Sequence, residues 1–174
     1  MMQSLRSAAT LMIAAVALAA CGDQLGSRYV KTQSVRASEG AIFTVDAADS
    51  PELAGTRLEI PAGALSSDVV LTVEFGLTSV LGAELSGGPS VVFGPAGVTL
   101  SKDAVLVLPL RNIVGSDDIG IVGQSSTGVF EVDSNQVALN AARTLATFKV
   151  RHLGGYQARR RTSCGPTAGI LDAG

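Results

Sequence analysis

Few side chains in this sequence could carry out catalysis. His152 is the only histidine, and Cys21 and Cys164 are the only cysteines. A serine-hydrolase triad would have to use His152 as its base, yet the chain contains no Gly-x-Ser-x-Gly nucleophile motif. A zinc site needs three or four ligands, and a P-loop needs a glycine-rich loop before a lysine, which the chain lacks. The sequence therefore predicts no enzyme activity, no catalytic residue, no metal and no cofactor, with His152 a packed or solvated residue of the last strand.

Three further groups of residues could bind a ligand, but each has a simpler interpretation that we favour. Five oxygen-bearing side chains are of the kind that calcium takes, and we interpret them as turn and surface residues. A short arginine run could contact lipid head groups or an acidic partner, or be solvated. A lone second thiol could cross-link to another chain, or be passive and exposed. The oxygen ligands are Asp117, Asp118, Glu131, Asp133 and Asn135. The arginine run is Arg159, Arg160 and Arg161, and the second thiol is Cys164.

The first 21 residues carry the clearest functional signal. A positive start at Arg6, an apolar run over residues 8–17 and a small-residue stop are typical of a secretory signal peptide. The run is shorter than the roughly 20 residues of a membrane-spanning helix. Its end, Leu18-Ala19-Ala20-Cys21, resembles the lipobox of bacterial lipoproteins. That resemblance implies cleavage between Ala20 and Cys21 and a covalent diacylglycerol and acyl lipid on Cys21. An uncleaved membrane helix and a plain secreted protein remain alternatives.

The lipobox resemblance also implies a location. The mature chain is expected to be exported and lipid-anchored in the bacterial cell envelope. Gly22, rather than an aspartate, follows Cys21, which favours the outer membrane if the cell has two membranes. If Cys21 carries lipid, Cys164 has no partner for an intrachain disulfide. The formal net charge of −2 argues against a nucleic-acid partner.

The remaining sequence predicts the fold that must position these residues. From residue 40 onward, short β-rich segments recur at roughly 8–12-residue spacing with turn residues between them. This pattern predicts an all-β fold, an antiparallel immunoglobulin-like β-sandwich of about 8–10 short strands. Residues 104–108 are apolar on both faces, as in a central strand, and Pro109 ends them.

The composition along the chain predicts four segments. Residues 1–20 form the signal peptide, and 21–39 a polar tether from the lipid to the domain, with an edge strand at residues 29–32 as the alternative. The sandwich spans residues 40–157. Residues 158–174 are predicted to be a disordered tail, because small, polar and Gly/Pro-rich residues bury too little apolar surface to offset chain entropy.

Three ordered motifs resemble the ZU-five domain, a β-sandwich found in ankyrins, netrin receptors and death-domain scaffolds. They are Ile60-Pro61-Ala62-Gly63-Ala64-Leu65, Gly94-Pro95-Ala96-Gly97 with its following strand, and Leu106-Val107-Leu108-Pro109. The resemblance covers about residues 40–157. We expect Pro61 to end a strand, since proline cannot donate to a ladder, and expect positive φ at Gly63 and Gly97. Lys102-Asp103 departs from the Lys-Pro that the family often has.

A fourth segment bears on activity. Bacterial lipoproteins with such domains often end in a His-Phe-Ser-x-Tyr-like segment, which His152 and Tyr156 resemble. Some animal relatives cleave themselves there through the serine hydroxyl. This chain has Gly154 at that position, so no acyl shift can occur and no self-cleavage is expected.

Together these observations predict a lipid-anchored, non-catalytic envelope β-sandwich that binds a protein or another envelope component through its sheet faces or edges. The membrane is one partner, through the lipid; the other is unknown, and no small-molecule substrate is expected. A structural or assembly module of a larger envelope complex is the alternative, and an enzyme is the least favoured class.

Overall fold

The computed structural model describes residues 29–76, 86–111, 113–114, 118–125 and 128–161, which form eleven strands and a short 3₁₀ helix, Ser134–Gln136. No helix in these ranges is long and apolar enough to cross a membrane. The strands are β1 (Tyr29–Val35), β2 (Ala41–Thr44), β3 (Arg57–Ile60), β4 (Val69–Phe75), β5 (Ser86–Gly94), β6 (Thr99–Pro109), β7 (Asp118–Ser125), β8 (Gly128–Val132), β9 (Ala138–Leu139), β10 (Leu145–His152) and β11 (Gly155–Arg161).

The strands form two antiparallel sheets, as predicted for an all-β sandwich. Sheet A has six strands in the order β1-β4-β5-β11-β7-β8, and sheet B has five in the order β2-β3-β6-β10-β9. The strand number exceeds the predicted 8–10, because the segments expected to be a tether and a tail contribute β1 and β11. As predicted, β6 is central in its sheet, β3 ends immediately before Pro61, and Pro109 is the last residue of β6.

One apolar core lies between the sheets. Its largest side chains with almost no exposed surface include Phe43 and Phe148 from sheet B and Phe93 from sheet A. On β10, Ala146, Phe148 and Val150 are buried while Lys149 between them is exposed. Burial of alternate residues is expected for a strand with one face on a core and one in solvent.

The predicted boundary at residue 158 is wrong. Residues 158–161 belong to β11, which lies between β5 and β7 in sheet A, and Ala158 is completely buried. The arginine run can be a strand because Arg159 and Arg161 both bond the Glu131 carboxylate, the former at 2.7 Å. Gly120 provides the space, since a Cβ there would lie 2.9 Å from Arg161 Nε. Residues 162–174 lie outside the described residues.

The predicted tether also needs correction from residue 29 onward. Tyr29–Val35 pairs with β4, which confirms the alternative of an edge strand and extends it to Val35, a core residue only 2% exposed. Lys31 Nζ connects this strand to sheet B: it donates to Asp49 Oδ2 at 2.8 Å and to the Thr44 carbonyl at 3.0 Å. The Lys31 hydrogen bond holds the pKa of Asp49 below its ordinary value.

We predict that Ala158→Asp destabilises the protein by about 3 kcal/mol or more, because an ionised carboxylate would be buried without a partner. Thr32→Asp, on the exposed face of β1, is the control and should cost at most about 1 kcal/mol, the span of strand propensities. Urea unfolding of the purified mature chain measures both. Equal, small losses would show that Ala158 is not in a central strand.

Candidate functional site

The residues of the predicted lipidation and cleavage site, Ala20 and Cys21, lie outside the described residues, as does Cys164. The site residues that the structure does place are therefore the family-motif residues, His152 and the acidic and arginine groups.

The first motif forms a turn attached to the beginning of β6. Ile60 is buried at the end of β3, and Gly63 has φ +69°, as predicted. Ser101 Oγ donates to the Gly63 carbonyl at 2.9 Å, and Lys102 Nζ donates to the Ala62 carbonyl at 2.6 Å. These bonds satisfy carbonyl groups of the turn, so the motif has a structural role here.

The second motif lies beside the segment that contains His152. The Gly94–Pro95 peptide bond is cis, and Gly97 has φ +84°, as predicted. The Gly97 amide donates to the Leu153 carbonyl at 3.3 Å, and the Leu153 amide donates to the Val98 carbonyl at 2.9 Å. The fold therefore brings together two family motifs that are more than fifty residues apart in the sequence.

Tyr156 fixes the turn between β10 and β11. Its hydroxyl donates to the His152 carbonyl at 2.7 Å, and its ring contacts Phe130 and Phe148. A buried tyrosine that bonds backbone a few residues upstream also stabilises immunoglobulin-type sandwiches. Burial raises the pKa of the Tyr156 hydroxyl well above its ordinary range, so this group remains a hydrogen-bond donor.

His152 itself is exposed and has little polar environment. Within the described residues, the polar contact of its imidazole is a 3.4 Å approach of Nδ1 to Thr99 Oγ1. A catalytic histidine would need a nucleophile on one ring nitrogen and an orienting group on the other. The arrangement is that of a solvated residue at the end of β10.

A groove of about 330 Å³ lies between the edge strand β8 and the second half of β10. We call it the β8–β10 groove. Aromatic and aliphatic side chains line it together with charged ones. The lining residues are Phe130, Glu131, Val132, Asp133, Gln136, Lys149, Val150, Arg151, His152 and Tyr156.

Beside this groove, part of the β10 backbone has no paired strand among the described residues. β9 pairs with β10 only at Ala146 and Thr147. The segment before β9 in the chain is the 3₁₀ helix, so it does not continue the strand pairing toward Lys149. The Leu145 carbonyl accepts from the Asn140 amide on the β9 side. Because backbone groups alternate in direction along a strand, the N–H and C=O of Lys149 face that same side. No strand pairs with Lys149 there within the described residues.

The charged side chains around the groove are paired locally. Arg151 Nε and Lys149 Nζ lie 2.5 and 3.6 Å from the Asp103 carboxylate, and the Arg151 bond lowers the pKa of Asp103. Arg161, and then Arg159, likewise lower the pKa of Glu131. The groove therefore presents no strong field of one sign.

The possible calcium ligands have other partners. Asp118 and Glu131 both form ion pairs with Arg161. Asp133 Oδ1 accepts from the Asn135 amide and so caps the 3₁₀ helix. Asp117 lies outside the described residues. In the described part of the chain, no three histidine, cysteine, aspartate or glutamate side chains are grouped to hold a metal.

Sequence reasoning predicted binding at sheet edges but did not identify the β10 edge. The turn residues at 133–135, followed by very few β-forming residues, were a signal that the next strand is short. Comparison of the chain with protein-family models gave no match, and comparison with curated protein sequences gave none. The resemblance to the ZU-five domain therefore still depends on the motifs alone.

We predict that the chain does not cleave itself, and that Gly154→Ser does not create cleavage but destabilises the fold. A Cβ at position 154 would lie 2.3 Å from the Gln124 carbonyl oxygen, so a serine forces the β7–β11 pairing apart. The cost should be about 1–3 kcal/mol. Gly155→Ser is the matched control, since its Cβ would meet no atom nearer than 3.5 Å. Denaturant unfolding and SDS gels measure the two effects; a cut before residue 154 would contradict the prediction.

Proposed function

We propose that this protein is a lipid-anchored, non-catalytic β-sandwich of the bacterial envelope that binds an extended segment of another protein at the β10 edge. The observation that carries the proposal is the backbone of Lys149 beside the β8–β10 groove, which no strand of the described residues pairs on the β9 side. An added strand would continue the hydrogen-bond ladder along β10 beyond Thr147, where the pairing with β9 ends. Main-chain hydrogen bonds would supply affinity, and the groove would accept alternate side chains.

The lining of the groove supports an extended peptide as ligand. Among its apolar lining residues Phe130 is half-buried and Val150 and Tyr156 are buried, while the lining residues Lys149 and Arg151 are exposed. A bound strand projects every second side chain to the same face, so one or two apolar side chains could enter the groove. Partly polar, edge-type sites of this kind suit polypeptides better than small rigid ligands.

The N-terminal sequence supports the location. The signal-peptide pattern and the Leu18–Cys21 lipobox favour an acylated Cys21 and residence on the outer membrane where two membranes exist. The ZU-five-like motifs are compatible with a binding or scaffolding domain. Several acyl chains at one cysteine would anchor it firmly, because each buried methylene contributes roughly 0.8 kcal/mol.

Self-assembly is a second candidate function. Sheet A ends in β1 and β8, each paired on one side only within the described residues. Free strand edges can pair with those of another copy. Sedimentation of the detergent-free mature domain separates the two functions: a stable oligomer favours an assembly module, and a monomer favours a binding module.

We predict that wild-type protein made in its own cells enters the detergent phase in a phase-partition experiment, whereas Cys21→Ser remains in the aqueous phase. The physical reason is the loss of the acyl chains, which account for membrane attachment in this proposal. If both proteins stay in the aqueous phase, the lipid anchor does not exist and the protein is freely secreted.

We also predict that a photo-reactive amino acid at position 149 cross-links a specific envelope protein in cells, while one at Val70, exposed on the far side of sheet A, does not. Lys149→Pro, with the photo-reactive residue moved to position 151, should abolish the cross-link, because proline removes the N–H that an added strand would use. Lys149→Ala keeps that N–H and should retain it. Equal cross-linking of both variants would exclude strand addition.

A further inference from the structure

We infer that the end of the sandwich at which β11 ends, toward which the N-terminal end of β1 also points, faces the membrane and contacts anionic lipid head groups. We call it the arginine end, defined by Arg111 and by Arg159, Arg160 and Arg161. The inference rests on the proposed lipid anchor at Cys21 and adds to it an orientation and a second, electrostatic contact.

Strand topology places the beginning of β1 and the end of β11 on the same side. Three successive antiparallel pairings connect β1 to β4, β4 to β5 and β5 to β11. An odd number of antiparallel steps makes β1 and β11 run in opposite directions. The N-terminal end of β1 and the C-terminal end of β11 therefore point in the same direction.

The register gives the relative heights. Tyr29 is opposite Glu74, Glu74 opposite Val92, and Val92 opposite Gly155. From that level, the six residue steps of β11 to Arg161 extend about 20 Å toward the arginine end at about 3.3 Å per residue.

The length of chain between Cys21 and β1 limits the distance to the membrane. Eight residue steps separate Cys21 from Tyr29, which span at most about 29 Å when fully extended. With the strands upright and the segment fully extended toward the arginine end, Cys21 lies about 9 Å beyond the level of Arg161, and a span of about 20 Å brings the two residues to the same level. That separation is close to the Debye length of about 8 Å at physiological salt, so the arginines are within electrostatic range of the head groups.

Arg111 carries the charge that is best placed to contact lipid head groups. Its amide bonds the Gly87 carbonyl, beside Ser86, the residue that pairs with Arg159, so Arg111 belongs to the same end. Its guanidinium donates to the Pro51 and Glu52 carbonyls at 2.6 and 3.1 Å and forms no ion pair with a carboxylate of the described residues. The remaining N–H groups of an exposed guanidinium suit phosphate oxygens.

The opposite end supplies a matched control. Arg36 follows β1 directly, at the end that the topology directs away from Cys21, and it is exposed and bonded to Glu39 at 3.0 Å. Loss of either arginine changes the net charge by the same amount. A difference between the two variants therefore reports position rather than total charge.

The first experiment measures membrane affinity without the anchor. The mature chain, residues 21–174 with Cys21→Ser and Cys164→Ser, is sedimented with vesicles of phosphatidylcholine, with and without phosphatidylglycerol, at low salt. We expect binding to the anionic vesicles only. Arg111→Gln should weaken it about fivefold, the effect of one basic charge near an anionic surface, and Arg36→Gln should leave it unchanged. Equal weakening by both variants would overturn the inference.

The second experiment measures orientation with the anchor imitated. The Cys164→Ser chain is coupled through Cys21 to a maleimide lipid in the same anionic vesicles, and amide hydrogen exchange is followed. We expect slower exchange in residues 46–55, the segment whose Pro51 and Glu52 carbonyls accept from Arg111, and no change in the turn at residues 36–40. The reverse pattern, or no change at either end, overturns the inference even if free binding is too weak to detect. The lipid is attached chemically in this experiment, so its outcome does not depend on acylation in cells. A finding that Cys21 is not acylated in cells would refute the proposed anchor, but it would not produce the reverse exchange pattern or the absence of any change.

Discussion

Sheet A depends on the pairing of β11 with strands on both of its sides. In the strand order of the described residues, β11 is the one connection between β1-β4-β5 and β7-β8. Its inward residues Tyr156 and Ala158 are buried, and its register with β7 is continuous from Gly155 to Arg161. Loss of this strand would leave two smaller sheets, each with a new unpaired edge and less apolar surface covered.

The unusual sequence of β11 imposes a second requirement. Three successive arginines place two guanidinium groups on one face of the sheet, and like charges that close are unfavourable. Glu131 on β8 compensates both, reaching across β7 at the position where Gly120 has no side chain. The charges are partly exposed, so solvent screens the pairs and reduces their contribution to stability. Their main effect is to allow an arginine-rich segment to occupy a central strand.

This arrangement explains which parts of the fold could be predicted from the sequence. The β-rich segments between turn residues predicted the all-β sandwich, the apolar run at residues 104–108 predicted a central strand, and the glycines at 63 and 97 adopt the positive φ that the turn motifs indicated. By contrast, residues 158–161 were assigned to a tail because their partner, Glu131, is almost thirty residues away and a polar composition resembles a solvated segment. β1 was ambiguous for a similar reason, since Lys31 and Thr32 are polar and the strand is stabilised by β4 and Asp49. Nothing in local composition shows such long-range pairing.

The residues around the groove have different roles from those of the core. The motif residues Gly97, His152 and Tyr156 fix the turn between β10 and β11, and His152 and Tyr156 also line the groove. The edge beside them is short, since β9 pairs with β10 up to Thr147, and its exposed side chains are Lys149 and Arg151. Charged residues on a short edge oppose indiscriminate pairing with other chains. A ligand strand must therefore offer compatible side chains as well as backbone, and this requirement would make an open edge selective rather than prone to aggregation.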